Sequence, residues 1–311
     1  MIKQKPRGMS QKEFLQAKAQ NKLYSFILDN GGIRGAILHG THMINEMRAT
    51  HKLGILETLV LGHGYLGAGL IIATLKGKDR AALKIECSGP IRGLSVEADA
   101  AGEVRGYLKA NPIPIEIPLE SFDLSPYFGD GYLTITKYPQ YAKHPYSGQI
   151  KLKSGSIASN LTQYYWISEQ TPTSFNVSIK FDEKGEVIGA GGLYLQTMPG
   201  TPNDRIKTLE LILETLPSIG EVFANQLSPQ EFVSSHFHAF SPRMLSDRRI
   251  EFFCRCQKET ITQIIQNLPI DTLADMAING PFPLETHCRN CNTTYSFEKE
   301  EIDALFSKRV H

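Results

Sequence analysis

Over the first two-thirds of the chain, apolar residues fall in short runs divided by turn residues; beyond residue 200 they recur three and four positions apart. The run Leu23–Leu28 ends in Asp29-Asn30-Gly31-Gly32-Ile33-Arg34. Aspartate, asparagine and glycine tolerate the backbone of a tight reversal, so this stretch predicts an early hairpin. Thr41–Met47 and Leu53–Leu75 contain few turn residues and carry helix-like patterns. Leu83–Cys87, Ile91–Val96 and Val104–Leu108 read as short strands between glycine-containing turns. Further strands are expected at Gly131–Lys137, Gly148–Leu152, Phe175–Phe181 and Val187–Leu195, with a short helix at Asn160–Ser168. After Met198-Pro199-Gly200, two sets recur at helical spacing: Ile206, Leu209, Leu213 and Leu216, and Ile212, Ile219 and Phe223. Pro217, Pro229 and Pro242 cut this stretch into short helices, because proline lacks the amide that a helix interior needs. The pattern predicts an α+β protein in three parts. A mixed sheet-and-helix core domain covers 1–198, a helical connector 199–250 and a small four-cysteine module 251–311, the last with helices near Gln257–Asn267 and Glu298–Ser307.

Composition adds mainly exclusions. A chain of 311 residues has room for about two domains. A formal net charge of +1 gives no global field to attract nucleic acid or an anionic membrane. The N-terminus has early basic residues but no apolar stretch behind them, so it does not read as a secretory signal. Leu66–Leu75, the most apolar segment, is broken off by Lys76 and Gly77 after about ten residues, half of what a bilayer span needs. No membrane association and a cytoplasmic location are therefore expected.

The chemistry is concentrated near the C-terminus. Four of the five cysteines form two tight pairs, C-x-C at Cys254 and Cys256 and C-x-x-C at Cys288 and Cys291. In a reducing compartment this spacing reads as metal before redox framework. Four thiolates make a closed, tetrahedral Zn²⁺ site with no open position, so one structural Zn²⁺ per chain is expected, held by all four sulfurs. Arg255, Gln257, Arg289 and Asn290 flank the pairs, which makes them poor core sequence. A module of about sixty residues has too small a core to be secure alone, whereas a structural metal contributes on the order of 10 kcal/mol. The same sulfurs are oxidisable. Neighbouring thiolates can collapse into disulfides, Cys254 with Cys256 and Cys288 with Cys291, and a disulfide is a poor zinc ligand, so the module is a candidate redox sensor. The C-x-C disulfide would close a small ring and be readily reduced, as a reversible switch requires.

At this point the chain resembles the heat shock protein 33 family of redox-regulated holdase chaperones. FFCRCQKE and THCRNCNTTYSF have that family's C-x-C and C-x-x-C arrangement and its following Tyr-x-Phe. TLKGKDRAALKIECSGPIRGLSVEADAAGEVRGYL is similar to its N-terminal sheet region. HPYSGQIKLKSGSIASNLTQYYWISEQTPT and GAGGLYLQTMPG are similar to later core segments, notably at Ser168-Glu169-Gln170 and from Gly191-Gly192 through Gln196. Two features depart from the family: Asn160 stands where an acidic residue is expected, and the extension before Tyr24 is long. The resemblance implies a stress-response chaperone that is not an enzyme. It implies a reduced, zinc-bound, inactive form, and oxidation of the four cysteines to the disulfides Cys254–Cys256 and Cys288–Cys291. Zinc release and unfolding of the C-terminal module follow. The activated form, a homodimer, binds unfolding client proteins without ATP.

Other motifs are weaker. Gly62-His63-Gly64-Tyr65-Leu66-Gly67 matches G-x-G-x-x-G, but Glu57 interrupts the strand that a dinucleotide site needs before it, and the glycines read better as close-packing positions. His236, His238 and His287 are bystanders where four thiolates are available, and Cys87 reads as a buried, inert thiol in a strand. No nucleophile elbow, HExxH or phosphate loop appears. Two rivals stay open. A zinc ribbon binding nucleic acid is opposed by nine acidic against six basic residues from Glu251 onward, a net of −3. A thiol oxidoreductase acting through Cys288 and Cys291 lacks the expected βαβ setting.

Overall fold

The structure, a computed structural model, describes residues 19–115 and 123–310. Most of the long N-terminal extension, through residue 18, lies outside the described residues. The chain divides between Phe252 and Phe253 into two compact units.

In the larger unit β1 (Lys22–Leu28) and β2 (Ile33–His39) form the expected hairpin. Its turn needs positive φ at Asp29 (53°), Asn30 (52°) and Gly31 (101°), which these residue types supply at low cost. Period-2 alternation then lays down β3 (Arg80–Cys87), β4 (Gly93–Asp99), β5 (Glu103–Leu108), β6 (Gly131–Tyr138), β7 (Tyr146–Lys151), β8 (Thr173–Phe181) and β9 (Val187–Thr197). With β10 (Arg243–Arg249) and β11 (Glu251–Phe252) they form two sheets. A five-stranded sheet runs β10-β1-β2-β9-β8 and a six-stranded sheet runs β11-β5-β4-β3-β6-β7. All described pairings in them are antiparallel except β11 with β5.

Helix α1 (Thr41–His51) leads into α2 (Ile55–Ile71), which packs on strands of both sheets and forms the centre of the core. Every residue of α2 except Ile55 and His63 is buried. Its glycines allow that approach: a Cβ at Gly62 would meet Ile179 of β8, one at Gly64 would meet Leu94 and Val96 of β4, and one at Gly69 would meet Leu38 of β2. The G-x-G-x-x-G match is thus a packing surface within a helix, and Leu59–Leu61, the would-be strand, is helical. The apolar segment is longer than the sequence reading allowed. Ile55–Thr74 is 20 residues at mean hydropathy 1.6, long and apolar enough to cross a membrane, but 89% of that stretch is buried inside the protein. That is the burial of a core helix. Two short helices follow, α3 (Ser125–Phe128) and α4 (Ile157–Ile167). Asn160 of α4 accepts from Lys153 N (3.0 Å) and donates to Ser154 O and Ser156 O (both 2.8 Å). A carboxylate cannot donate, so the amide does at this position what the expected acid could not.

Three short helices, α5 (Asn203–Thr215), α6 (Ile219–Ala224) and α7 (Pro229–His236), cover the other face of the five-stranded sheet. A capping box between Ser228 and Glu231 starts α7. Their apolar side chains Leu209, Val222, Phe223 and Phe232 join Phe26, Ile37, Leu193 and Leu195 in one buried cluster. One part of this stretch departs from expectation: Arg243–Arg249, read as helical connector, is strand β10 on the edge of the core sheet. Arg-Met-Leu-Ser-Asp-Arg-Arg has no buried residue, so no hydrophobic period marks it. Backbone pairing with β1, with an ion pair between Lys22 and Asp247 at 2.7 Å, makes it a strand.

The smaller unit contains α8 (Lys258–Gln266), α9 (Ile270–Asn279), the hairpin of β12 (Leu284–His287) and β13 (Thr294–Phe297), and α10 (Lys299–Val310). Its core is Ile265, Leu273, Ala277, Phe297, Ile302 and Leu305. The helices at α8 and α10 match expectation; α9 and the hairpin were not read from the sequence.

Candidate metal centre

The tip of the β12–β13 hairpin carries the second cysteine pair. His287 pairs with Thr294 at the base of the tip, and Cys288 N donates to Thr293 O at 2.9 Å. Cys291 N (3.3 Å) and Asn292 N (2.7 Å) both donate to Cys288 O, which folds Cys288–Asn292 into a tight knuckle. Asn292 has φ of 53°, a conformation asparagine adopts more readily than most residues, and it closes the turn in the left-handed region that favours glycine. C-x-x-C in such a knuckle turns both sulfurs to one side. The first pair follows β11 in a segment without regular structure, which frees Cys254 and Cys256 from the opposite-face alternation of a strand.

The structure brings all four predicted residues together. The four Sγ atoms lie within 4.8 Å of one another, with Cys254 to Cys288 at 3.8 Å and Cys256 to Cys291 at 3.3 Å. Four thiolates about 2.3 Å from a tetrahedral Zn²⁺ stand about 3.8 Å apart, so this donor set fits that ion in number, type and spread. Cys254 and Cys291 are buried, Cys256 and Cys288 half-buried. Both of these contacts run between the two sequence pairs, and all four sulfurs lie within 4.8 Å of one another, so proximity alone does not select the disulfide pairing.

Electrostatically the sulfurs act as a unit. Hydrogen bonding from Cys254 and Cys288 pulls the Cys291 thiol far below its usual range, with Thr293 assisting. Hydrogen bonding with Cys288 and Cys291, then burial, pushes Cys254 far up. Cys288 is pushed up to about 11: its hydrogen bond with Cys254 lowers it, but Cys291 and burial outweigh that. Without a cation the cluster thus disfavours a proton at Cys291 and favours one at Cys254 and Cys288. Loading a divalent ion displaces those protons.

Two neighbours escaped the sequence reading. The Tyr295 hydroxyl donates to Cys256 Sγ at 3.1 Å, and the Thr293 hydroxyl lies 3.2 Å from Cys291 Sγ. Burial and then the bond to Cys256 raise the Tyr295 pKa, so the phenol keeps its proton. Tyr295 is the tyrosine of the Tyr-x-Phe noted after the second pair, but its role beside a sulfur, like that of Thr293, was signalled only by position, two and four residues after Cys291, where a hairpin returns its second strand past the metal ligands.

The distractors are placed elsewhere. His236 Nδ1 lies 3.0 Å from Phe232 O, His238 Nδ1 2.8 Å from Ser235 O, and His287 Nδ1 2.9 Å from the Thr294 hydroxyl. Among the described residues, the four cysteines are the only group placed to hold a metal. Cys87, expected to be buried, is half-buried at the end of β3, and desolvation raises its pKa. The C-x-x-C sits in a β-hairpin, so the thioredoxin-like setting is absent.

The family model described as Hsp33 protein matches residues 21–298. The chain belongs to the Hsp33 family. It is 31% identical over 276 residues to the 33 kDa chaperonin of Acetivibrio thermocellus, covering 88% of this chain and 92% of that one. The 33 kDa chaperonin of Halalkalibacterium halodurans is also 31% identical, covering 89% and 96% of the two chains. The crystal structure of the 33 kDa chaperonin (heat shock protein 33 homolog) of Thermotoga maritima superposes with a TM-score of 0.84 at 29% identity, covering 94% of this chain and 99% of that one. These relatives bear chaperone names rather than names of a catalysed reaction. Membership makes this chain a chaperone, with the α+β fold its sequence predicts.

Proposed function

We propose that this Hsp33-family protein is a redox-switched, ATP-independent holdase of the cytoplasm. In the reduced state Cys254, Cys256, Cys288 and Cys291 hold one Zn²⁺ per chain. A bound ion would act there as a cross-link, because four sulfurs leave no position for water or substrate. The carrying observation is the convergence of four sulfurs within 4.8 Å in a unit whose apolar cluster has, among the described residues, six buried side chains. A core that small leaves the fold dependent on the cross-link.

Oxidation to the disulfides Cys254–Cys256 and Cys288–Cys291 withdraws the ligand set, releases the ion and unfolds the module 251–311. The connector 199–250 loosens next and opens apolar surface on the core 1–198. Physical support comes from α5, where Leu209 is the one buried residue and Leu211 is 65% exposed. Beside it Ile206, Leu209, Leu213, Leu195 and Trp166 line a cavity of about 690 Å³. Loosening α5 enlarges that apolar surface, which is suited to unfolding client proteins. The activated form is a homodimer, and neither nucleic acid nor membrane is a partner.

The reduced, zinc-loaded protein is treated with peroxide under mildly denaturing warmth, and zinc release and suppression of client aggregation are followed together. Both rise on this reading. Zinc release without protection of the client would refute the holdase output, and a reduced protein without stoichiometric zinc would refute the switch. Turnover of a disulfide substrate would instead indicate an oxidoreductase, and salt-sensitive binding to DNA or RNA a ribbon.

A further inference from the structure

We propose that Tyr295 is a positioning residue of the cysteine switch: its hydroxyl, hydrogen-bonded to Cys256 Sγ, protects that sulfur from hydroperoxides and so sets how much oxidant the switch needs. The inference rests on the reading that the four thiolates hold a metal in the reduced protein.

Burial divides the ligands. Cys254 is 2% exposed and Cys291 fully buried, whereas Cys256 and Cys288 are half-buried. A peroxide reaches a half-buried sulfur first. The Cys256 sulfur receives the Tyr295 hydroxyl at 3.1 Å. The donor is held by structure. Tyr295 stands on β13 opposite Thr286, and its ring packs against the module's apolar cluster. The phenol therefore reaches Cys256 from a rigid strand, across 39 residues of sequence. The Thr293 hydroxyl beside Cys291 touches a sulfur already closed to solvent and is not needed for protection.

The chemistry follows from where the charge moves. A thiolate lone pair attacks one oxygen of a hydroperoxide; an S–O bond forms, the O–O bond breaks and hydroxide leaves, giving a sulfenic acid. A second thiolate then attacks that sulfur; the S–S bond forms, the S–O bond breaks and another hydroxide leaves. Two thiolates have lost two electrons and the peroxide has gained them. In the first step negative charge departs from sulfur toward oxygen. A hydroxyl that stabilises charge on sulfur favours the ground state over the transition state and slows the attack. Tyr295 thus trades reactivity of Cys256 for retention of the thiolate as a ligand.

Tyr295→Phe removes the hydroxyl and leaves the ring in its packing. The reduced, zinc-loaded variant and wild type are pulsed with hydrogen peroxide or iodoacetamide, and modification of Cys256 and Cys288 is read separately by peptide mass analysis. Cys288 is the internal control, since general loosening of the module raises both sites together. The proposal expects the Cys256-to-Cys288 ratio to rise about three- to tenfold, with zinc released at lower peroxide. Placing 3-fluorotyrosine at position 295 supplies a stronger donor and should move the ratio the other way; it also serves if the phenylalanine variant fails to load zinc. An unmoved ratio in these proteins overturns the proposal. Zinc content of reduced wild type is measured first and independently, so failure of the parent reading is recognised separately.

Discussion

Arg205 is the residue whose removal should most directly test whether the connector is held in place by a few contacts. Its guanidinium donates to both carboxylate oxygens of Asp29, from Nε at 3.2 Å and from Nη2 at 3.1 Å, and Nη2 also donates to Ala239 O at 2.9 Å. The same group lies 4.1 Å from the ring centroid of Phe240. The Arg205 and Asp29 side chains are 26% and 29% exposed, so the ion pair is only partly screened. We assign about 1 kcal/mol to the pair, about 1 kcal/mol to the carbonyl hydrogen bond and about 0.5 kcal/mol to the cation–π contact. Some overlap leaves about 2 kcal/mol for Arg205→Ala. That is large for α5, which buries only Leu209 completely. A loss of about 2 kcal/mol raises the open population of the helix roughly thirtyfold. Native-state hydrogen exchange should then show the α5 amides exchanging roughly thirtyfold faster, with β2 and β9 unchanged. The variant should also suppress client aggregation at lower oxidant. Unchanged exchange in α5, or equal acceleration throughout the sheet, would refute the reasoning.

Three further outcomes are expected. Cys288→Ser should weaken zinc binding and make the segment from residue 253 onward protease-sensitive without oxidant; full metal occupancy with an unchanged digestion pattern would show that the ligand set is wrong. Gly189→Ala should destabilise the larger unit by about 2 kcal/mol or more, because the new Cβ would meet Gly220 O and, at 2.6 Å, Ala224 N, forcing α6 off β9; urea titration checks it. Desolvation of the half-buried His63, whose Nε2 has no hydrogen-bond partner among the described residues, lowers its pKa from 6.5 to about 4, and desolvation lowers the half-buried His39 likewise. Both are neutral in the native state, so the unfolded chain binds more protons between pH 4 and 6.5. Stability should be flat above that window and fall as pH drops through it, by on the order of 2–3 kcal/mol per histidine. His63→Leu should flatten part of this slope in chemical denaturation at stepped pH; an unaltered slope would show that His63 titrates normally.

The parts legible in the sequence are those where one local rule acts alone. The β1–β2 hairpin follows from turn residues that accept positive φ, and the alternating strands of the six-stranded sheet follow from one buried face. The four cysteines were legible because a metal-like donor set is defined by residue type and spacing, and the structure gathers all of them. What stayed hidden depends on partners distant in sequence. Strand β10 has no buried side chain, so its identity comes from pairing with β1, more than two hundred residues earlier. The β12–β13 hairpin consists of four-residue strands, too short for a period to register. Tyr295 looks like core sequence until the hairpin carries its hydroxyl to Cys256. The glycines of α2 suggested a nucleotide loop because their composition is the same whether the close neighbour is a phosphate or a strand.

That hidden strand bears on how a switch could reach the connector. Helices α5 to α7 are not a free tether, since the chain enters them from β9 and leaves them into β10, both in the same sheet. Unfolding that starts at Cys254 and spreads toward the N-terminus meets β11 and β10 before any connector helix. The first resistance comes from Phe252 of β11 and from Ile250, both buried in the core; once these are drawn out, β10, an edge strand with no buried side chain, adds little to it. The next barrier is the buried cluster of Phe223, Phe232, Phe237 and Phe240 against β1 and β2, and there resistance rises sharply. The polar character that concealed β10 from a hydrophobic pattern therefore also makes it the cheapest element to detach. A connector held at its start by Arg205 and at its far end by a peelable strand can loosen in part while the core sheet stays folded, which is the behaviour a holdase must have to expose apolar surface without losing its own structure.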